Sequence, residues 1–186
     1  DPSVLSMRSA SLTQTGIRFG DLDLPKGLLD LHVRWVGPIS LTERSFHRFS
    51  WSNRLLPFCP ESGERLVGHC VACGEALGWH RSEGLGVCEN CEETILPSEE
   101  TPLPADLLRG YARIARLLSF DPNSRSTAIE EVSESLRTID PATIALTALK
   151  LTYILKGINP DNELKKIPFL RAKVLARLVA QAGDAL

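Results

Sequence analysis

The chain has 186 residues, 43% of them hydrophobic and 24% charged, with a formal net charge of -2. That length suits one domain or two small ones, and the composition is that of a soluble globular protein. The charge excludes a global basic field, so any contact with nucleic acid must come from a local patch. No run of eighteen apolar residues is present, which excludes a membrane-spanning helix. The chain opens on Asp1 without a basic-then-apolar leader, so no secretion signal is expected, although a start without Met suggests a fragment.

Residues 1–45 read as an amino-terminal segment, partly irregular. Within it Leu31, Val33 and Trp35 alternate with His32 and Arg34, which predicts a half-buried strand. Residues 46–97 hold the strongest signal of the chain. Cys70 and Cys73 form one CxxC hook, fourteen residues follow, and Cys88 and Cys91 form a second. Two thiolates two residues apart can grip one ion from a tight turn, and a second such turn completes a tetrahedral shell. A shell of four sulfurs leaves no position for water, so one structural zinc ion is expected. Zinc would supply a segment this poor in apolar residues with stability on the order of 10 kcal/mol. The count of five cysteines leaves Cys59 over, which suits a reducing cytoplasm and a small buried thiol. His32, His47, His69 and His80 are isolated and read as surface or turn residues.

Residues 97–104 (PSEETPLP) read as a linker. Residues 98–186 read as an α-helical domain. A first helix is expected over about 104–119, with Leu107, Leu108, Tyr111, Ile114, Ala115 and Leu118 on one face. The DPNS stretch at 121–124 should end it, and a second helix should begin near Thr127, carrying Ile129, Val132 and Leu136. Asp140-Pro141 is a helix start, with Asp as cap and Pro in the first turn. The helix that follows is apolar almost all round, which predicts a central position, and Gly157 should stop it. A last helix is expected over about 168–182, with Leu170, Val174, Leu175, Leu178 and Val179 facing inward. The fold expected is therefore mainly α with a small β zinc ribbon, the ribbon preceding a helical domain. No internal repeat of solenoid length is evident.

Residues 47–95 resemble the TniQ family, which includes the TnsD target-selection proteins of bacterial transposons. Trp51, Leu55, Leu56, Cys59, Pro60, Gly63, Leu66, Cys70, Cys73, Gly74 and Leu77 match the family pattern in order, and Cys88 and Cys91 match its closing hook. The similarity spans about fifty of the 186 residues. Two departures stand out. Family members commonly carry another cysteine pair before the Trp, which this chain lacks, and Ser62 stands where they have His after Cys-Pro. A first zinc site would therefore have been lost, with Cys59 as its remnant.

The resemblance implies a bacterial, cytoplasmic protein that chooses where a mobile element inserts. It would bind a DNA site or a CRISPR effector complex and recruit the transposition ATPase and transposase, performing no strand chemistry itself. Such proteins bear a helix-turn-helix, for which the helices here hold no diagnostic motif. Two basic groups are candidates for phosphate contact. Arg44, Arg48 and Arg54, with His47 and Arg65, surround Phe46, Phe49, Trp51 and Phe58. Lys166, Lys173 and Arg177 can share one helix face, accompanied by Lys165 and Arg171. The aromatics equally suit a small core beside the metal, and the cations a solvated face. The acidic Glu92, Glu93, Glu99 and Glu100 would keep DNA off their side. No HExxH, GxSxG or phosphate loop is present, so an enzyme is not expected. The rival reading is a zinc-stabilised protein-interaction module without direct nucleic-acid contact, and a homodimer stays open.

Overall fold

A computed structural model describes residues 10–12, 16–19, 22–80, 83–157 and 171–186. It is mostly helical, with a small antiparallel sheet near the amino terminus. The sheet orders β1 (Ala10–Leu12), β2 (Gly16–Phe19) and β3 (Leu22–Pro25) as a meander. Ile17 pairs with Leu24 across β2 and β3, and Arg18 with Asp23, whose side chains form an ion pair at 2.9 Å. Strand β3 alternates buried Leu22 and Leu24 with exposed Asp23 and Pro25, the period of a sheet with one face covered.

The strand expected over residues 31–35 does not form. Asp30 Oδ1 instead accepts the backbone N–H groups of His32 and Val33, at 3.3 and 3.2 Å, and turns the chain there. The inside–outside pattern fails with it. Leu31 is 50% exposed, whereas Arg34, assigned to the polar side, has no exposed surface.

A short helix α1 (Pro38–Glu43) precedes the cysteine segment. Four helices follow: α2 (Ala105–Leu117), α3 (Pro122–Glu130), α4 (Pro141–Leu155) and α5 (Ala172–Asp184). Residues 97–104 have neither helix nor strand, but they are not a loose connection. Leu103 is buried, and its N–H donates to Gly63 O at 2.9 Å.

The DPNS stretch starts a helix as well as separating two. Asp121 caps α3, accepting the N–H groups of Asn123 and Ser124 at 3.2 and 3.1 Å, so α3 begins five residues before Thr127. The Ser124 hydroxyl, at 2.7 Å, is the main cause that holds the Asp121 carboxyl below its ordinary range. Helix α3 ends at Glu130, and Leu136 lies in a separate 3-10 turn, Glu134–Leu136. Asp140 caps α4 as expected, accepting Thr143 N–H at 2.8 Å, and Gly157 follows its end with φ of 72°.

Helix α4 is not enclosed. Ile144, Ala145, Leu149 and Tyr153 are buried, but Leu151 and Ile154 are exposed and Leu155 is 84% exposed. Among the described elements, α4 packs on α5, α2 and β3, which cover one side of it. In α5, Leu175, Leu178 and Val179 face inward as expected, whereas Val174 is exposed. Leu170 lies outside the described residues.

Two apolar clusters organise these elements. The larger joins Ile17, Leu22, Leu24, Leu55, Leu56 and Phe58 to the inward faces of α2, α4 and α5, so sheet and helices share one core. Where α2 crosses α5, Gly110 and Gly183 let the backbones touch. A Cβ on Gly183 would run into the Gly110 carbonyl. The smaller cluster gathers Val36, Leu41, Trp51, Cys59, Leu66, Val67, Leu77 and Ile95 around Cys70 and Cys88. Tyr111, in the larger cluster, fastens α2 to the backbone of Phe58, the residue before Cys59 of the smaller cluster. Its hydroxyl donates to Phe58 O at 3.0 Å and accepts Phe58 N–H at 2.9 Å.

Candidate metal centre

The two hooks are built alike. Cys70 N–H donates to Glu75 O at 2.8 Å, Gly74 N–H donates to Cys70 O at 2.9 Å, and Leu77 N–H donates to Gly68 O at 2.9 Å. In the second hook Cys88 N–H donates to Glu93 O at 2.9 Å, Glu92 N–H to Cys88 O at 2.9 Å, and Ile95 N–H to Gly86 O at 2.8 Å. Each turn needs a left-handed residue after its second cysteine. Gly74 supplies φ of 78° without strain, and Glu92 adopts φ of 61° with a Cβ in place. A single β-bridge closes each hook, His69 with Ala76 and Val87 with Thr94.

These turns bring all four sulfurs within 4.8 Å of one another. Cys70 Sγ lies 3.6 Å from Cys91 Sγ, and Cys73 Sγ lies 3.7 Å from Cys88 Sγ. Cys70 and Cys88 are buried, Cys91 is half-buried and Cys73 faces solvent. Four thiols this close cannot all ionise without a cation. The backbone N–H of Glu75, then the side chain of Asn90, draws the Cys73 thiol down to about 7. The Glu93 N–H pulls Cys91 the same way, but desolvation and its three thiol neighbours prevail and push it up to about 12. A divalent ion removes this conflict, and the cluster can hold one.

Arg34, which the alternation placed on the outside, is the clamp between the hooks. Its backbone N–H donates to Leu77 O at 2.7 Å, in the first hook. Its guanidinium donates from Nη1 to Gly84 O at 3.0 Å and from Nη2 to Val87 O at 2.7 Å, at the entry to the second. Burial is the main cause that holds its pKa below the ordinary value, with Glu89 and Cys88 opposing. Residue type and spacing carry no signal for this role.

Cys59 stands apart from the four sulfurs and is fully buried. His32, His69 and His80 are exposed. His47 is half-buried, lying edge-on to the rings of Trp51 and Trp79 at 5.3 and 4.9 Å and donating from Nε2 to Trp35 O at 2.9 Å.

The first basic group is divided. Arg44 is exposed. Arg48 lies over the rings of Phe46 and Trp51, at 5.2 and 4.9 Å, and faces Glu61 at 3.8 Å. Arg54 pairs with Asp30 at 3.6 Å. Arg65 donates to Pro57 O at 2.6 Å and faces Glu100 at 3.5 Å. Of the second group, Lys173 and Arg177 are exposed one turn apart on α5, beside a shallow recess lined by Pro102, Leu103 and Leu107. Lys166 and Lys165 lie outside the described residues. Among the described residues no helix is long and apolar enough to cross a membrane.

No protein-family model matches the chain, and no curated protein matches it.

Proposed function

We propose that this chain is a target-selection adaptor for transposition. A structural zinc ion on Cys70, Cys73, Cys88 and Cys91 holds the cysteine segment as a ribbon. Exposed cations then meet the phosphates of a DNA site, or of a DNA-targeting complex, while other surfaces recruit the transposition machinery. The observation that carries this reading is the convergence of four sulfurs within 4.8 Å from two turns of one design. Four soft donors in a closed shell suit zinc and a structural role. The residues behind the family resemblance support it, since Trp51, Cys59, Leu66, Cys70, Leu77 and Cys88 form one buried cluster. Arg44, Lys173 and Arg177 are the described candidates with free access to phosphate. The test is binding of duplex DNA by the zinc-loaded protein across a salt series. Affinity should fall steeply with salt, and Lys173→Ala with Arg177→Ala should flatten the slope by about two units. No binding at low salt overturns the DNA-contact reading.

One observation favours a protein-interaction module without direct nucleic-acid contact. Arg48, Arg54 and Arg65 face carboxylates of their own chain, while Val71, Trp79 and Leu96 are exposed. On this reading the partner is the transposition ATPase or an effector complex. Co-purification that survives nuclease treatment, by a protein that does not bind DNA at low salt, selects it.

A further inference from the structure

The described residues contain a third turn of the same design as the two metal hooks, and it lies at Cys59. Cys59 N–H donates to Glu64 O at 2.8 Å, Gly63 N–H donates to Cys59 O at 2.8 Å, and Leu66 N–H donates to Pro57 O at 3.0 Å. These are the three bonds made by the hooks at Cys70 and Cys88, atom for atom. Gly63 has φ of 72°, as Gly74 and Glu92 are also left-handed. A single bridge, Phe58 with Arg65, closes the turn. Leu66 is buried where Leu77 and Ile95 are buried. The three sequences read CPESGE, CVACGE and CENCEE, so Ser62 stands at the position of Cys73 and Cys91. Cys59 is buried like Cys70 and Cys88, and Ser62 is exposed like Cys73.

The group opposite this turn is the start of α1. Gly37 and Ser40 are three residues apart, the spacing of a hook. Ser40 Oγ lies 3.4 Å from Cys59 Sγ and 3.1 Å from Ser62 Oγ. Positions 37, 40, 59 and 62 thus face one another, and the space among them is filled by a carboxylate. Glu64 Oε1 accepts Ser40 N–H at 2.8 Å, Ser40 Oγ–H at 2.5 Å and Ser62 Oγ–H at 3.1 Å, while Oε2 accepts Ile39 N–H at 2.9 Å. A Cβ on Gly37 would stand 2.6 Å from Glu64 Oε1. The matching residues of the metal hooks, Glu75 and Glu93, are exposed, whereas Glu64 is 4% exposed.

We propose that this turn is a knuckle without a metal, in which the Glu64 carboxylate takes the place of the ion. The chemistry of the surrounding positions is inverted accordingly. A cation draws in thiolates, whereas an anion needs donors. Hydroxyls and N–H groups surround Glu64, and Cys59 Sγ donates to Glu61 Oε2 at 2.9 Å. The same backbone is therefore held once by negative charge and twice by a shared ion. Among the described residues the four-cysteine cluster is then the one metal site, and the first knuckle is a latent second site whose ligand positions are held by hydroxyls and filled by Glu64. The inference rests on the geometry of these turns and not on any contact with DNA.

The test is metal content per chain by native mass spectrometry after zinc loading, with Co2+ absorption as a second readout. Cys59→Ser should leave the metal content of the parent unchanged. Ser40→Cys with Ser62→Cys, which adds two thiols beside Cys59, should raise it by one per chain. The added metal should bring cobalt–thiolate absorption in proportion, with Glu64 as fourth ligand or turned outward like Glu75. Loss of a metal from Cys59→Ser overturns the proposal. So does unchanged metal content in a double variant that melts cooperatively. If the double variant does not fold, the Cys59→Ser result decides. A parent without any metal would refute the zinc reading of Cys70, Cys73, Cys88 and Cys91, yet the gain of one in the double variant would still support this one.

Discussion

The guanidinium of Arg34 donates to the carbonyl of Val87 at 2.7 Å, across 53 residues of chain. Through this bond and its partner at Gly84, a side chain from the amino-terminal segment locks the entry to the second hook. The backbone N–H of the same residue holds Leu77 in the first hook. The relative placement of the two hooks thus depends on a residue that touches no ligand.

Arg34→Met would keep most of the apolar stem but leave the carbonyl of half-buried Val87 without its guanidinium donor, while Gly84 O would keep the Val87 N–H. The expected cost is about 2–4 kcal/mol, with weaker metal retention. Arg34→Lys should recover little, because one ammonium cannot reproduce the planar fork. Urea unfolding and competition with a chromogenic chelator measure the two effects. Wild-type metal retention in Arg34→Met would refute the clamp.

Removing the ion should separate the two apolar clusters. The smaller one is built on Cys70 and Cys88, whereas the larger one rests on helices and sheet. Chelation, or Cys88→Ser, should abolish the environment of Trp35, Trp51 and Trp79, read as near-UV dichroism, while most of the far-UV helical signal remains. Metal binding of this kind contributes on the order of 10 kcal/mol, so the local loss should be complete. An unchanged near-UV spectrum in the metal-free protein would contradict this.

Gly183→Ala should be severe although it adds one methyl group. The new Cβ would meet the carbonyl of Gly110, a backbone atom that cannot step aside. Forcing α2 and α5 apart should cost about 3 kcal/mol and lower the melting temperature by roughly 6–12 °C. Alanine at Gly157, where a Cβ meets nothing, carries only the penalty of its left-handed φ and should be milder. Equal melting temperatures for the two variants would refute the close helix contact.

Stability should also fall on mild acidification through His47. Burial lowers its pKa from the ordinary 6.5; the Trp35 carbonyl opposes this and Arg34 adds to it. In the unfolded chain the imidazole takes up its proton at about pH 6.5, before the folded one does. Between the two values the unfolded state binds more protons, so stability is full above 6.5 and declines as pH drops below it. His47→Gln should remove this component. Urea unfolding of metal-saturated protein between about pH 7 and pH 5 tests it, and parallel declines in parent and variant would exclude His47 as the source.

The features legible in the chain were those made by near neighbours. The CxxC spacing specifies a turn that aims two sulfurs at one point. Asp140-Pro141 caps α4, and Asp121-Pro122 caps α3 by the same device, although the DPNS stretch by itself predicts only a stop. The periodic faces of α2 and α5 follow from a repeat of 3.6 residues. The third knuckle, by contrast, emerged only from its backbone bonds, because Ser62 in CPESGE stands where a second cysteine would mark a hook. Each of the legible features rests on residues only a few positions apart, between which backbone sterics and hydrogen bonds leave few alternatives.

Burial was decided by remote partners. Arg34 is inside because the carbonyls of Gly84 and Val87 are there to receive it, and an alternating pattern has no means of stating that. The apolar end of α4 is exposed because the described elements packed on it cover one side. Glu64 turns inward while Glu75 and Glu93 turn outward, although all three follow the same turn, because only Glu64 meets Ser40 and the N–H groups of α1. Whether a polar group is buried depends on the free energy of its bonds once water is gone. Those bonds come from segments the chain brings near only on folding.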